Sequence, residues 1–313
     1  MISVGMIGTG SIAPLHVNAI RAHPETNLAA VADLSTDRAQ KTAAPFGAAV
    51  YTDYREMLDR ETLDVVIINL PHALHEEAAI ACAEHGVHIL LEKPMSVSFA
   101  SCNRIIDACK NANVLLQIGH VQRYMQENQA CRAIIESGEL GELVMINDMR
   151  TTNYFEPSRP KWFLSKEMAG GGIWMNYGAH ALDKLCYLTG SRIASVNGAC
   201  TYHNTEGDVD GSAQVLARTK NGITAAISLC GYAVVPVHET MIYLSKGTLR
   251  MLNGEGLWKT TGTTYEQVDT SHYPDPFVAQ WNDFIKGIRS GQILHCDGNY
   301  AADIIAHLET IWN

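Results

Sequence analysis

The chain has 313 residues, 47% of them hydrophobic and 18% charged, with a formal net charge of −10. That length accommodates two domains with cores of their own. The negative balance argues against nucleic acid or an anionic membrane as partner, and no apolar run approaches the roughly 18–20 residues of a spanning helix. The opening run Ile2–Ile7 reads as a buried parallel strand and residues 11–22 as a helix. Because the strand starts at Ile2, no export signal is expected before it. Between strand and helix stands Gly8-Thr9-Gly10-Ser11-Ile12-Ala13, and a second apolar run ends at Asp33. Strand, glycine turn, helix, strand and a terminal acid together make a dinucleotide fingerprint. Gly8 permits the turn, Gly10 lets backbone approach a pyrophosphate, and Ala13 packs helix against strand. The helix N-terminus offers unpaired N–H groups to phosphates. An acid at Asp33 accepts from ribose hydroxyls and repels a 2′-phosphate, and Leu34-Ser35-Thr36 bring no cation. NAD is therefore preferred over NADP, with Arg38 the nearest residue that would favour a phosphate.

The alternation continues. Helical patterns cover 35–46, 54–58, 74–85 and 98–112, with Ser98 as N-cap. Strand patterns cover 47–51, 64–69, 87–91 and 114–119. Repeated βα units imply a doubly wound parallel sheet covered on both faces. The loop Asn69-Leu70-Pro71-His72-Ala73-Leu74-His75 and the segment Glu92-Lys93-Pro94 both follow strands, so they fall on the sheet's carboxyl edge, where such folds bind ligands. Asn69, Leu70, His72, His75, Glu92 and Lys93 are thus candidates to touch the cofactor. Lys93 is also placed to donate to a substrate oxygen.

Beyond a helical pattern at 128–137, strands dominate: 143–150, 194–201, 211–219, 223–232, 238–244, 248–252 and 265–268. Many alternate apolar and polar residues, as an antiparallel sheet with one covered face requires. Asn221-Gly222 is a hairpin turn. Helical patterns return at 276–290 and 300–312. The architecture read from this is α/β: residues 1–122 a dinucleotide-binding domain, 123–313 an α+β domain with a mainly antiparallel open sheet. The eight cysteines form no C-x-x-C pair and, with His, no zinc spacing. They read as reduced thiols in a cytoplasmic protein, with no metal expected.

Taken together these motifs resemble the Gfo/Idh/MocA family of NAD(P)-dependent oxidoreductases. The resemblance rests on G-T-G-S-I-A with His16, A-D at 32–33, N-L-P-H-A-L-H at 69–75 and G-V-H-I-L-L-E-K-P-M at 86–95. It extends through G-H-V-Q-R-Y at 119–124, E-S-G-E-L-G-E at 136–142, G-G-G-I-W-M-N-Y-G-A-H-A-L-D at 170–183 and K-G-T-L-R at 246–250. It implies a Rossmann domain, a second domain whose sheet makes subunit contacts in a homodimer or homotetramer, and hydride transfer at a sugar, polyol or related hydroxyl. It implies too that Lys93 and His180 contact the reacting hydroxyl and that the Lys93–Pro94 peptide is cis. Many family dehydrogenases carry Asp four residues before the His; here that residue is Asn176, which orients a hydroxyl but takes no proton. His180 is therefore assigned the acid/base role, Lys93 stabilises the alkoxide, and Asn176 fixes the oxygen. With residues 179–188 helical, Asn176, His180 and Asp183 share a face, so Asp183 is expected to orient the imidazole. The Gly170–Gly172 run is expected to bend close to a ligand. Arg123, Tyr124, Tyr154 and Trp162 are candidates for the substrate pocket, and the loops 153–163 and 202–210 for specificity. The resemblance leaves two other classes open: an NAD-dependent glycoside hydrolase using transient oxidation, and a non-catalytic sensor of dinucleotide or sugar.

Overall fold

A computed structural model describes residues 1–203, 206–292 and 295–312, apart from the side chain of Val234. The first element, β1 (Ile2–Ile7), is followed by α1 (Ala13–Ala22), β2 (Thr26–Ala32), α2 (Thr36–Ala43), β3 (Ala49–Tyr51), α3 (Tyr54–Arg60), β4 (Val65–Ile68), α4 (His75–Glu84), β5 (His88–Leu91), α5 (Phe99–Asn111) and β6 (Leu116–Ile118). The six strands form one parallel sheet in the order β3-β2-β1-β4-β5-β6. The order reverses between β1 and β4, which opens a crevice at their carboxyl ends. Every residue of β4 is buried, as a strand covered on both faces must be. Ser98 caps α5 by accepting from the Ser101 N–H.

The chain continues with α6 (Gln126–Ser137), β7 (Leu143–Asn153), the short α7 (Lys166–Ala169) and α8 (Ala179–Thr189). Seven further strands follow: β8 (Ile193–Thr201), β9 (Ser212–Thr219), β10 (Thr224–Cys230), β11 (Tyr232–Leu244), β12 (Gly247–Leu252), β13 (Gly256–Thr260) and β14 (Glu266–Val268). With β7 they form an eight-stranded sheet ordered β14-β13-β12-β11-β7-β10-β9-β8. It is antiparallel except where β7 lies parallel to β10. Thr219-Lys220-Asn221-Gly222-Ile223 closes the β9–β10 hairpin, Gly222 taking a φ of 93°. Alternation along β9 is strict: Ala213, Val215 and Ala217 are buried while Gln214, Leu216 and Arg218 are exposed. β11 is longer than its sequence pattern predicts, because a register irregularity between Tyr232 and Val237 carries the strand past Pro236. β13 was not evident from sequence; its Gly-Leu-Trp-Lys-Thr has too little alternation to signal a strand.

Two helices end the chain, α9 (Pro276–Ser290) and α10 (Gly298–Glu309). Here the compact units depart from the boundary expected at 122/123. The first unit comprises Met1–Val121 together with Phe277–Asp303, and the second Gln122–Pro276 with the residues from Ile304 onward. The reason is hydrophobic. Phe277, Trp281, Phe284 and Ile285 of α9 bury themselves in the core that contains Val4, Met6, Val17, Ile20 and Leu28. The indole N–H of Trp281 meets Thr26 Oγ1 at 3.3 Å. A helix's periodicity shows which face is apolar but not which core it joins. Among the described residues no helix is long and apolar enough to cross a membrane.

Candidate active site

The turn after β1 has the form the glycine spacing predicts. Gly8 sits at φ 86°, and a Cβ there would lie 2.7 Å from the Asn69 carbonyl oxygen. At Gly10 a Cβ would meet nothing within 4 Å, so the backbone is open to an approaching group. Ala13 is fully buried. No side chain caps α1 at Ile12, and its first turn carries no acid. Ala13 and Leu15 donate to the Gly10 and Ile12 carbonyls, each at 3.1 Å, and Pro14 carries no N–H, so this end offers a phosphate the positive end of the helix dipole rather than a set of free first-turn N–H groups. Ser11 beside it is exposed.

Asp33 is held on both oxygens. Oδ2 accepts from the Thr9 N–H at 2.7 Å and the Thr9 hydroxyl at 2.8 Å. Oδ1 accepts from the Ser35 N–H and the Arg38 guanidinium, each at 2.7 Å. Burial alone would push this carboxyl up, but the Ser35, Thr9 and Arg38 donors outweigh it and hold it below its ordinary value. It is thus ionised at neutral pH, as a ribose acceptor requires. Leu34, which sequence reasoning passed over, is 91% exposed beside it. An apolar side chain standing in solvent next to the cradle is an available platform for a flat base.

On the same carboxyl edge, β5 delivers Glu92 and Lys93. The Lys93–Pro94 peptide is cis. Glu92 Oε1 lies 2.9 Å from His16 Nε2, and its Oε2 accepts from the Lys93 backbone N–H. Burial raises this carboxyl, but the His16 ring and the Lys93 charge hold it below its usual range. Lys93 itself is half-buried. Asn69 donates to the Gly8 carbonyl at 3.2 Å and so braces the turn. Leu70 packs toward Gly8. His75 departs from its expected place at the cofactor. It is fully buried, with Nε2 2.8 Å from the Leu70 carbonyl and Nδ1 3.1 Å from that of Pro94. Its ring ties the Asn69–His75 loop to the Lys93–Pro94 turn and is committed to backbone. His72, 4% exposed, lies against it, the rings 5.9 Å apart.

In the second unit, one turn of π-helix, Trp174–Gly178, runs directly into α8. Sequence periodicity shows the helix and not the widened turn before it, yet that turn carries Asn176. Such turns recur at functional sites. Asn176 and His180 are 6% and 9% exposed. The turn is held from outside. Asp210 accepts from the Gly172 and Trp174 N–H groups, each at 2.8 Å, and the Trp174 indole donates to Leu308 O at 3.0 Å. Burial pushes the Asp210 carboxyl up, against the pull of those two amides. Asp210 was missed in sequence because it precedes a strand in a polar loop. The glycine run serves this packing rather than a ligand: a Cβ at Gly172 would collide with Asp210 O, and one at Gly171 would lie 2.6 Å from the Trp312 ring.

Asp183 has a partner that helical spacing does not reveal. Its Oδ1 pairs with the Arg123 guanidinium, so the acid expected to orient His180 carries a buried ion pair. Arg123, 8% exposed and stacked over the Tyr187 ring, is correspondingly engaged in structure. Tyr124 is 9% exposed and Tyr154 fully buried. Trp162 stacks on Phe163 with ring centroids 3.7 Å apart. The expected specificity loop 202–210 includes Asn204 and Thr205, which lie outside the described residues. One residue past Asp183, the Lys184 ammonium reaches Asp148 Oδ1 at 2.6 Å, Thr240 Oγ1 at 2.8 Å and His238 Nε2 at 2.9 Å. Among the described residues no group of three His, Cys, Asp or Glu side chains is placed to hold a metal.

An open glycine turn after β1, an ionised carboxylate at Asp33 and a mixed-sheet second unit are the combination found in the comparisons with known proteins. Residues 2–120 match the model described as "Oxidoreductase family, NAD-binding Rossmann fold", and residues 128–250 match "GFO/IDH/MocA C-terminal domain". The chain belongs to this family. It is 26% identical over 306 residues to the myo-inositol 2-dehydrogenase of Thermotoga maritima, covering 92% of this chain and 89% of that one. Its fold matches the aldose-aldose oxidoreductase of Caulobacter crescentus in complex with glycerol (TM-score 0.90, 22% identity, 99% and 96% covered). It also matches a levoglucosan dehydrogenase in complex with NADH and L-sorbose (TM-score 0.89, 21% identity, 100% and 96% covered).

Proposed function

We propose that this protein is an NAD-dependent dehydrogenase acting on a secondary hydroxyl of a sugar, polyol or related compound. The observation that carries this reading lies within one sheet edge. The open glycine turn, the ionised Asp33 and the half-buried Lys93 all follow strands at the same carboxyl end. The relatives named as sugar and inositol dehydrogenases support the substrate class. NAD is held by the Gly8–Ile12 turn through its phosphates and by Asp33 through its ribose, and when bound it supplies the hydride acceptor. His180 takes the hydroxyl proton as the C–H bond breaks and the carbonyl forms. Imidazole is suited to this at neutral pH. The Lys93 ammonium stabilises the developing alkoxide, and Asn176 fixes the oxygen. The test is a survey of polyols, aldoses and amino-sugar derivatives with NAD. Stoichiometric NADH and ketone are the expected products. Release of an aglycone without net NADH would move the assignment to the hydrolase class, and no turnover on any substrate would favour a sensor.

Cofactor choice follows from Asp33. A 2′-phosphate would face a carboxylate already holding Arg38, so NAD is expected to be preferred over NADP by about a hundredfold in kcat/KM, one or two charged contacts' worth. Asp33→Ser frees Arg38 and is expected to shrink that ratio; equal use of both cofactors by the unaltered enzyme would overturn the reading.

The outward face of the second sheet supports self-association. Leu216, Ala226, Asn147 and Met241 align across four strands, with Met145 and Met149 in adjoining rows. Leu216 is 56% exposed, and such a face fits burial against a second copy. Sedimentation at micromolar concentration is expected to give a dimer or tetramer, and a monomer alone would remove this expectation. All eight cysteines are free thiols, which supports a reducing, cytoplasmic setting.

A further inference from the structure

Two arginines of the second unit, Arg150 at the end of β7 and Arg159 in the loop that follows, lie on tyrosine faces beside Asn176. The Arg159 Cζ stands 4.1 Å from the centroid of the Tyr154 ring. The Arg150 Cζ stands 3.6 Å from the ring of Tyr177, the next residue after Asn176. The two rings meet edge to face, their centroids 5.8 Å apart. Phe163 flanks Arg159 on another side at 5.1 Å. Both arginines are half-buried, and among the described residues neither has a carboxylate within ion-pair distance. The neighbouring acids are committed elsewhere: Asp148 to Lys184 and Thr240, and Asp210 to the Gly172 and Trp174 amides. The Arg159 Nε is buried without a hydrogen-bond partner. Burial, and then repulsion from Arg159, hold the Arg150 guanidinium below its ordinary value, against the pull of Tyr177 and Asp148.

In a chain of net charge −10, two unneutralised guanidiniums at one place call for an anion. Aromatic faces offset part of the desolvation of a cation but leave its N–H donors unsatisfied. A guanidinium presents those donors in a planar fork that matches a carboxylate. We propose that the substrate carries a carboxylate, as a uronic, aldonic or related sugar acid does, and that Arg159 and Arg150 bind it while Asn176 holds the hydroxyl to be oxidised. This rests on the dehydrogenase reading above and names its substrate class. The pairing of carboxylates with these arginines is nevertheless measurable without turnover.

The experiment compares matched pairs with NAD: glucose with glucuronate, galactose with galacturonate, glucitol with gluconate, and glucose 6-phosphate as a second anion. The acid of at least one pair is expected to exceed its neutral partner by about tenfold to a hundredfold in kcat/KM, the range of one or two charge-assisted bonds. Arg159→Gln is expected to bring that ratio to near one, and Arg159→Lys to keep part of it. Arg159 is on a loop, so its variants keep the fold where Arg150→Met, at a strand end, has more to disturb; circular dichroism checks both. Saturation-transfer NMR of the same acids is the readout independent of chemistry. Arg159-dependent binding of an acid, with no NADH formed from any acid of the panel, upholds the carboxylate site at these arginines and sinks its role in oxidation together with the dehydrogenase reading. Turnover of neutral partners at equal or better efficiency, a ratio untouched by Arg159→Gln, or preference for the phosphate ester overturns the inference and leaves the dehydrogenase reading standing.

Discussion

Replacing His180 by Ala is expected to lower kcat by about a hundredfold to ten-thousandfold, the range associated with losing a positioned general base. Lys93→Met is expected to lower it by about a hundredfold to a thousandfold, the scale of one lost donor to a developing oxyanion. The two should differ in pH behaviour. Removing His180 should erase the acid limb of the pH–rate profile, while Lys93→Met should leave that limb in place at reduced height. NADH fluorescence titration separates lost chemistry from lost binding. The cradle of Gly8, Thr9 and Asp33 is built without either side chain, so both variants should still bind dinucleotide. Near wild-type turnover in both would sink the assignment. The Asn at position 176 sharpens the expectation: an amide takes no proton, so no neighbouring carboxylate there can substitute for the imidazole.

The second large effect is on stability. Asp148 lies on β7 opposite Thr240 of β11, both on the face of the sheet that α8 covers. Lys184 descends from α8 to both of them and to His238. Lys184 and Asp148 have side chains 4% and 6% exposed. Asp148→Ala strands that ammonium, and leaving one partner of a buried pair is expected to cost about 3–5 kcal/mol. In a chain of this size that lowers the melting temperature by on the order of ten degrees. A double variant, Asp148→Leu with Lys184→Met, removes both charges and is expected to recover most of the loss, since apolar pairs often match buried ionic ones. A melting curve for Asp148→Ala that overlays wild type would refute the account.

The same cluster sets a pH dependence with a definite sign. Burial and the Lys184 charge hold the His238 imidazole down to about 4. Burial opposes ionisation of Asp148, but Lys184 and His238 hold its carboxyl far below the ordinary range. Both groups bind protons more readily when unfolded. Stability is therefore complete above the unfolded imidazole value near 6.5 and falls as pH drops toward 4, with Asp148 extending the loss further into acid. His75, kept low by burial, contributes in the same direction. His238→Gln should flatten the upper part of the decline in melting temperature between pH 6.5 and 4. An unaltered slope would show that His238 does not carry it.

Much of the first unit was readable because its signals are local. The strand before Gly8, the helix after it and the acid at 33 lie within one βαβ unit, and neighbouring residues set turn and helix geometry. The Ser98 cap and the Asn221-Gly222 hairpin followed from the same short-range rules. His75 was misread for an equally physical reason. Its position on the carboxyl edge is a property of the strand order, but whether its ring reaches outward or inward depends on where the Leu70 and Pro94 carbonyls come to rest. Asp183 shows the same dependence on a distant partner. Helical spacing puts it on the His180 face, yet Arg123, sixty residues earlier in the chain, reaches it.

By itself, then, the order of residues determined the parallel sheet, the glycine turn after β1, the acid at the end of β2, the open second sheet and the family, because periodicity and turn chemistry act between near neighbours. Only the tertiary structure decided which core receives α9, that a π turn carries Asn176, that Gly171 and Gly172 make room for Trp312 and Asp210, and which buried acid pairs with which cation. Those outcomes come from contacts between residues distant in sequence, where packing and desolvation select one partner among several that local pattern leaves equally available.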